Sequence, residues 1–215
     1  MLVKDRMSKH PLTIGEDESV SDAHKYMQEQ HVRHLPALNR SGAMVGLVTE
    51  EDLLKAQPSA VTSLSVWEIH YLLTRVKVRD VMVRDVVSTT EDTPIELAAQ
   101  TMAERKISCL PVVRGDKLVG IITETDIFHI FVEMFDVRHP GVRITMEVAD
   151  KAGEMAKVAE AVAKQGGYIA ASGVFLAEDA TKAGMILKVR NVDRDALSKA
   201  LSQIEGANLI DVREM

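Results

Sequence analysis

The stretch Gly46-Leu-Val-Thr49-Glu-Glu-Asp52 decides the fold, because it recurs as Gly120-Ile-Ile-Thr123-Glu-Thr-Asp126. In both copies a short apolar run ends in a threonine, and an aspartate follows three residues later. Two further segments recur in register with it: Val3-Lys-Asp-Arg-Met7 as Val78-Arg-Asp-Val-Met82, and His31-Val-Arg-His-Leu35-Pro36 as Lys106-Ile-Ser-Cys-Leu110-Pro111. The first 135 residues are therefore two copies of one unit.

A threonine and an aspartate three residues apart at the start of a helix can bind a sugar phosphate. Both side chains lie on one face of the helix. The unpaired amides and the positive end of the helix dipole favour an anion there, and the hydroxyl can donate to it. The carboxylate can accept bonds from vicinal hydroxyls of a ribose. The alternative is that Thr49 with Asp52, and Thr123 with Asp126, only cap their own helices, as capping boxes with Asp in place of Glu.

The repeated unit resembles a tandem of CBS domains, also called a Bateman module. The resemblance rests on the Met7 and Met82 starts, the Leu-Pro strand starts and the two Gly-x-x-Thr-x-x-Asp endings. It implies two β-α-β-β-α units related by a pseudo-twofold axis, with adenosyl ligands (AMP, ADP, ATP or S-adenosylmethionine) in the clefts between them. On this resemblance Asp52 and Asp126 contact ribose hydroxyls. Thr49 and Thr123 contact the phosphate or the ribose edge.

The resemblance implies a second part of each site, just before the Leu-Pro pair. The copies differ there, with Arg33-His34 in the first and Ser108-Cys109 in the second. Cations at this point of a CBS domain contact phosphates, while the backbone lines the adenine. We therefore predict two unequal clefts, with the phosphates near Arg33 and His34. The alternative is that these residues are the solvated end of an edge strand, since long charged side chains are mostly exposed.

The repeat also predicts domain boundaries and secondary structure. The first copy covers residues 1–56, a connector covers 57–77, and the second copy covers 78–137. Periodicity and turn residues predict helices and two strands in each copy. These are a helix capped by Asp17 or Ser19 that ends near Gln30, strands His34–Leu38 and Met44–Val48, a helix from Glu50, a helix from about Thr93 to Arg105, and strands Cys109–Val113 and Leu118–Ile122.

The connector carries its own helix signal. Ser65-Val-Trp-Glu68 has the pattern of a capping box, so a short helix is predicted over Val66–Leu73. With the residues that follow, it resembles the connector of CBS proteins of the acetoin-utilization type. Trp67 is predicted to pack on the module, because tryptophan is highly buried on average. Binding of a partner protein through Trp67 is the alternative.

The helix that closes the second copy, Ile127–Phe135, is apolar nearly all round. Such a helix must be covered on more than one side. A CBS pair covers one side only, so we predict that a neighbouring domain and a second subunit cover the rest. A homodimer is therefore expected.

Residues 142–215 follow a different pattern. Alternation, helical spacing and glycine stops predict the order β-α-β-β-α-β, a ferredoxin-like sandwich. Asp150-Lys-Ala-Gly153-Glu-Met155 and Gly-Gly-Tyr-Ile169 resemble an ACT domain. That resemblance implies dimerisation and an amino-acid effector at Asp150 and Gly153, although Tyr168 stands where many effector-binding members carry Asn. The alternative is that Gly153 only permits the turn. The predicted fold class is α/β (α+β), a CBS pair followed by an ACT-like domain.

Composition excludes several function classes. A net charge of −6 and a pI near 5.7 argue against a nucleic-acid partner. No apolar run reaches the roughly 18 residues of a membrane span, and no signal-peptide core is present, so a cytoplasmic protein without a membrane partner is expected. Lone Cys109 excludes an internal disulfide. His31 and His34 are predicted to point to opposite faces of a strand start, so no metal site is expected.

No catalytic grouping or phosphate-cradling glycine loop appears in the sequence. We therefore predict a non-catalytic regulatory protein that binds an adenine nucleotide or another adenosyl ligand, requires no cofactor and acts on an unknown target protein. Two alternatives stay open at this point. One is an interaction scaffold with empty clefts, and the other is an amino-acid sensor that acts through the ACT-like domain.

Overall fold

Two three-stranded sheets form the first of two units, Met1–Ile127, in this computed structural model, which describes residues 1–56 and 74–215. The first sheet has the order β2 (Ile14–Gly15), β3 (His34–Leu38), β4 (Met44–Thr49), and the second has the order β1 (Ser8–Lys9), β6 (Lys117–Thr123), β5 (Cys109–Arg114). The helices are α1 (Val20–Gln30), α2 (Glu50–Lys55), α3 (Val78–Val81), α4 (Ile95–Arg105) and α5 (Glu124–Met134), with a 3-10 turn at Val3–Asp5. The predicted connector helix and Trp67 lie outside the described residues.

Local sequence signals fix the ends of α1. Ser19, not Asp17, is the N-cap, and its hydroxyl accepts from the amide of Asp22 at 3.0 Å. Val20, Ala23 and Met27 recur at helical spacing and are buried. The helix ends at His31, whose φ of 54° is left-handed. Lys106 ends α4 with the same φ of 54°, so the two copies share this irregular geometry.

The opening segments of the two copies are exchanged. The amide of Val3 donates to Thr93 at 2.9 Å, and Ser8 in β1 pairs with Ile121 in β6, so the first segment lies on the second copy. Conversely, the amide of Val78 donates to Glu18 at 2.9 Å, and Val83 pairs with Leu47.

A methionine and a glycine make the closest contact of each exchange. Met7 packs on Gly120, where a Cβ would lie 2.5 Å from its sulfur, and Met82 packs on Gly46 in the same way. Only glycine leaves room for the methionine, so the recurring Met and Gly residues are two sides of one contact.

The second unit, Phe128–Met215, contains one antiparallel sheet. Its elements are β7 (Val142–Ala149), α6 (Glu154–Lys164), β8 (Tyr168–Leu176), β9 (Lys182–Arg190), α7 (Arg194–Ser202) and β10 (Asn208–Glu214), with strand order β10-β7-β9-β8. The predicted alternation in β7 is observed, since Val142, Ile144, Met146 and Val148 are all buried. They form one core with residues of β9, α6 and α7. Asp193 caps α7, accepting from the amide of Ala196 at 2.8 Å.

Helix α5 is only partly covered in this chain. Ile130 is buried, but Phe128, Phe131 and Met134 expose 65%, 58% and 60% of their surface. Exposure of three large apolar side chains on one helix is typical of a surface that binds another molecule. None of the helices within residues 1–56 and 74–215 has the length and apolar character needed to cross a bilayer.

Candidate functional site

The two Thr/Asp pairs form capping boxes in both copies. The amide and hydroxyl of Thr49 donate to Oδ2 of Asp52 at 2.9 and 2.7 Å, and the amide of Asp52 donates back to the Thr49 hydroxyl at 3.2 Å. Thr123 repeats this with Oδ2 of Asp126 at 2.8 and 2.8 Å, with a longer return bond of 3.4 Å. Both Thr/Asp pairs therefore cap their own helices, as the alternative interpretation of the sequence predicted.

Capping occupies only one oxygen of each carboxylate. Within residues 1–56 and 74–215, neither Oδ1 of Asp52 nor Oδ1 of Asp126 has a hydrogen bond. Both aspartates are half-buried. The cap fixes the direction of the carboxylate and leaves its second oxygen able to accept from a ligand hydroxyl. Capping and ligand binding therefore do not exclude each other.

Each Thr/Asp pair lines a cleft in the first unit. The cleft at Thr49 and Asp52 has a volume of about 380 Å³, and the cleft at Thr123 and Asp126 has a volume of about 430 Å³. We call them the Thr49 cleft and the Thr123 cleft. The Thr49 cleft is also lined by Arg33, His34, Leu47, Glu50, Glu51, Val83, Asp85, Val86, Val87 and Lys106–Cys109. The Thr123 cleft is also lined by Ser8, His10, Pro11, Leu12, His31–His34, Ile121 and Thr125.

The two linings are copies of each other. Most residues of one cleft have a counterpart 74 or 75 positions away in the other, as Thr49 corresponds to Thr123 and Ser108 to Arg33. Each cleft thus combines the helix start of one copy with the Leu-Pro segment of the other. It was not predicted from the sequence that residues within 8–12 and 83–87 line the two clefts. The 75-residue offset between Met7 and Met82, extended a few residues onward, is the signal that identifies them.

The charges of the clefts are unequal. Among the described residues, four carboxylates line the Thr49 cleft and one, that of Asp126, lines the Thr123 cleft. The four are Glu50, Glu51, Asp52 and Asp85. Arg33 lines both clefts, Lys106 adds a second cation to the Thr49 cleft, and three histidines line the Thr123 cleft. The field is therefore more negative in the Thr49 cleft.

His34 lies in the wall shared by the clefts. Its Nε2 is 2.7 Å from the hydroxyl of Ser108, a hydrogen bond between the two copies. Burial lowers the pKa of His34, and the nearby Arg33 lowers it further, while Asp52 acts in the opposite direction. The imidazole is thus neutral at pH 7. The neighbouring thiol of Cys109 is buried as predicted, and burial with the charge of Glu124 raises its pKa to about 12.

The predicted location of His31 is wrong. His31 ends α1 in a left-handed conformation and does not start the strand, and both His31 and His34 line the Thr123 cleft. The described residues nevertheless contain no group of three metal-binding side chains.

Asp150 and Gly153 lie in the second unit. Gly153 has a φ of +92° and is the N-cap of α6, so a glycine is needed at this turn. Asp150 is exposed, and its amide donates to the carbonyl of Thr181 at 2.9 Å. The turn is therefore explained by backbone geometry alone.

Comparison with known proteins identifies the duplicated part of the chain. A family model described as the CBS domain matches residues 3–59 and 78–133. The homoserine O-acetyltransferase of Methanococcoides burtonii is 37% identical over 126 residues, which are 58% of this chain and 23% of that protein. The chain thus spans about a quarter of that relative. The uncharacterized protein MJ1426 of Methanocaldococcus jannaschii is 32% identical, over 59% of this chain and 89% of that protein.

Three solved structures resemble the first unit. The CBS domain pair of protein MJ0100, in complex with 5-methylthioadenosine and S-adenosyl-L-methionine, has a TM-score of 0.51 and 31% identity, covering 61% of this chain and 95% of that one. A protein described as an acetoin utilization protein (AcuB), from Vibrio cholerae, has a TM-score of 0.53 and 31% identity, covering 64% and 95%. CBSX2 in complex with AMP has a TM-score of 0.50 and 26% identity, covering 64% and 98%.

Proposed function

Because this chain belongs to the CBS-domain family, we propose that it is a non-catalytic regulatory protein that binds adenosyl ligands in its two clefts. The observation that carries the proposal is Oδ1 of Asp52 and of Asp126, neither of which has a hydrogen bond to a described residue. Each carboxylate is oriented by a capping box and lies in a cleft of about 400 Å³. Clefts of this size suit small ligands. The complexes of the MJ0100 CBS pair and of CBSX2 support an adenosyl group as the common part of the ligand.

We do not propose the acetyltransferase activity of the M. burtonii relative for this chain. The matched 126 residues are about the length of the CBS pair and 23% of that enzyme. The Thr49 cleft has several carboxylates, but three of them are consecutive at the start of α2, where they favour the helix dipole. They do not form a spaced general acid and base.

We expect the clefts to prefer ligands of opposite charge. The single carboxylate, Arg33 and the three histidines of the Thr123 cleft favour a phosphate. The four carboxylates of the Thr49 cleft favour a ligand with a positive charge, such as the sulfonium and amino groups of S-adenosylmethionine. AMP and S-adenosylmethionine are therefore expected to bind different clefts of the same protein.

Calorimetric titration of the full chain tests the proposal. Saturable binding of AMP, ATP or S-adenosylmethionine is expected, and AMP and S-adenosylmethionine together are expected to occupy two independent sites. Absence of binding by all three ligands would favour the interaction-scaffold alternative.

Binding of a phosphate in the Thr123 cleft is expected to include proton uptake by His34. The bound phosphate raises the lowered pKa of this imidazole, so affinity for AMP increases as the pH falls through the bound-state pKa and levels off below the free-state pKa. Calorimetry in buffers of different ionisation enthalpy measures the protons taken up. Because the AMP phosphate itself titrates near roughly pH 6, the comparison is with His34→Asn, and His10→Asn is the matched control in the same cleft. Equal proton uptake by wild type and His34→Asn would refute the role of His34.

We propose that the second unit is an ACT-like dimerisation domain. The order β10-β7-β9-β8 with two helices is that of a ferredoxin-like sandwich, which supports this assignment. Its edge strand β8 exposes 61% of Val174 and 97% of Leu176, and an exposed apolar edge favours pairing with another chain. Light scattering of the full chain tests the homodimer. A thermal-shift screen with amino acids tests an effector at Asp150 and Gly153.

Regulation requires that a ligand bind one arrangement of the protein better than another. We propose α5 as the transmitting element, because Asp126 of the Thr123 cleft lies in its first turn and the helix continues into the second unit. Amide exchange over residues 127–150, with and without AMP, tests this route to the unknown target protein. Unchanged exchange rates there would count against α5.

A further inference from the structure

Two carboxylates of the Thr49 cleft have no acidic counterpart in the Thr123 cleft. By the offset of the repeat, Asp85 corresponds to His10, and Glu51 corresponds to Thr125. The other two carboxylates have acidic counterparts in the second copy, which are Glu50 with Glu124 and Asp52 with Asp126. Among the carboxylates, the difference in charge between the clefts therefore comes from Asp85 and Glu51.

Of these two carboxylates, only Asp85 is without a cation. Oε1 of Glu51 lies 2.7 Å from Nζ of Lys55, one turn later on α2, and opposite charges at this spacing attract each other. Asp85 is exposed, lines the cleft, and has no hydrogen bond or ion pair with any described residue. Its negative charge is therefore available to a ligand.

Apart from Asp85 and the Glu51–Lys55 pair, the described lining of the Thr49 cleft is neutral. Burial leaves His34 and Cys109 uncharged at pH 7, because it lowers the pKa of the imidazole and raises the pKa of the thiol. The two remaining carboxylates are matched in number by two cations, which are Glu50 and Asp52 against Arg33 and Lys106. Asp85 therefore supplies the net negative charge of this lining.

The backbone holds Asp85 beside the cleft. Two residues earlier, Val83 exchanges two hydrogen bonds of 2.9 Å with Leu47, and both of these residues also line the cleft. Arg84, which lies between Val83 and Asp85, donates to the carbonyl of Arg79 at 2.8 Å and is not part of the lining. The cation next to Asp85 in the chain is therefore engaged elsewhere.

We propose that Asp85 is the specificity-determining residue of the Thr49 cleft, and that it selects adenosyl ligands with a net positive charge over neutral ones. This role rests on the proposed function, because it requires adenosyl binding in the cleft. A sulfonium group beside the ribose attracts the carboxylate through the field of the cleft. Asp85 belongs to the second copy and Asp52 to the first, so one copy supplies the charge selection and the other the ribose contact.

Calorimetric titration of the full chain with S-adenosylmethionine and S-adenosylhomocysteine tests the role of Asp85. The two ligands share the adenosine and the amino-acid tail, but only the first has the sulfonium charge. Wild type is expected to bind S-adenosylmethionine roughly threefold to tenfold more tightly, the range of an ion pair near the surface. Asp85→Asn is expected to remove this preference by weakening S-adenosylmethionine binding alone. Its melting temperature should not change, because Asp85 has no described partner to lose.

Two further variants make the result specific. Asp85→Lys is expected to reverse the preference, so that S-adenosylhomocysteine binds more tightly. Asp116→Asn removes an exposed carboxylate from the turn between β5 and β6, outside both clefts, and is expected to leave both affinities unchanged.

The role of Asp85 is refuted, with the proposed function intact, by either of two results. One is that wild type binds both ligands equally well, and the other is that Asp85→Asn keeps the wild-type preference or weakens both ligands alike. If wild type binds neither these two ligands nor AMP or ATP, the role of Asp85 and the proposed function are both wrong.

Discussion

Asp126→Asn is expected to weaken AMP binding in the Thr123 cleft roughly tenfold to hundredfold while the cap of α5 stays in place. The asparagine oxygen can still accept from the amide and hydroxyl of Thr123, as Oδ2 of Asp126 does now. Its NH₂ group replaces Oδ1, the oxygen without a partner among the described residues, and a donor cannot accept from a ribose hydroxyl. The substitution therefore separates ligand binding from capping.

Two further variants show whether weaker AMP binding comes from the lost ribose contact or from a lost helix cap. Asp126→Ala removes both roles, so it should match Asp126→Asn in affinity and also lower the melting temperature, since loss of a cap costs about 1 kcal/mol. Asp52→Asn makes the same change in the other cleft and should weaken S-adenosylmethionine binding while AMP binding is retained. If AMP binds Asp126→Asn as tightly as wild type, the carboxylate serves only as a cap and the proposed site is wrong.

Much of the first unit is predictable because its signals are local and repeated. The caps at Ser19, Thr49 and Thr123 need only neighbouring residues, and the strands His34–Leu38 and Met44–Thr49 are bounded by turn residues that the sequence displays. In the second unit, the signals for the alternation of buried residues in β7 and for the cap at Asp193 are equally local. The sequence also places Arg33 and His34 beside a cleft, as the structure does.

Long-range geometry was not predictable from one sequence. Nothing in Val3–Met7 indicates that it packs on the opposite copy, so the shared wall at His34, which borders both clefts, could not be anticipated. The burial of Lys188 in β9, which is only 3% exposed, was not predicted for a similar reason. Its strand partner is Arg143, which is 45 residues away, and a lysine in an amphipathic strand ordinarily indicates a solvated face.

The largest loss of stability is expected from Gly46→Ala, about 2–3 kcal/mol, because the new Cβ overpacks a close contact. The added carbon would lie 2.8 Å from Cγ of Met82 and 2.9 Å from the carbonyl oxygen of Val83. The methionine can turn aside, but that carbonyl is held by the amide of Leu47 at 2.9 Å. Thermal unfolding should show a melting temperature lower by roughly 5–10 °C. Gly15→Ala is the matched control, because its Cβ meets nothing closer than 3.4 Å, and it should be nearly neutral.

Double-mutant cycles distinguish side-chain crowding from backbone crowding. At Gly120 an added Cβ would lie 2.5 Å from Sδ of Met7, and 3.1 Å from both Cγ of Met7 and the carbonyl oxygen of Ser8. The backbone contact is longer than the 2.9 Å at Gly46, so Met7→Ala should offset more of the cost of Gly120→Ala. Met82→Ala should offset Gly46→Ala less completely, because the Val83 carbonyl remains. Val83 also lines the Thr49 cleft, so moving its segment away from Gly46 should weaken S-adenosylmethionine binding together with stability. A Gly46→Ala protein of normal stability would show that the exchanged segment shifts freely, and its contact with Gly46 would then have no part in shaping the cleft.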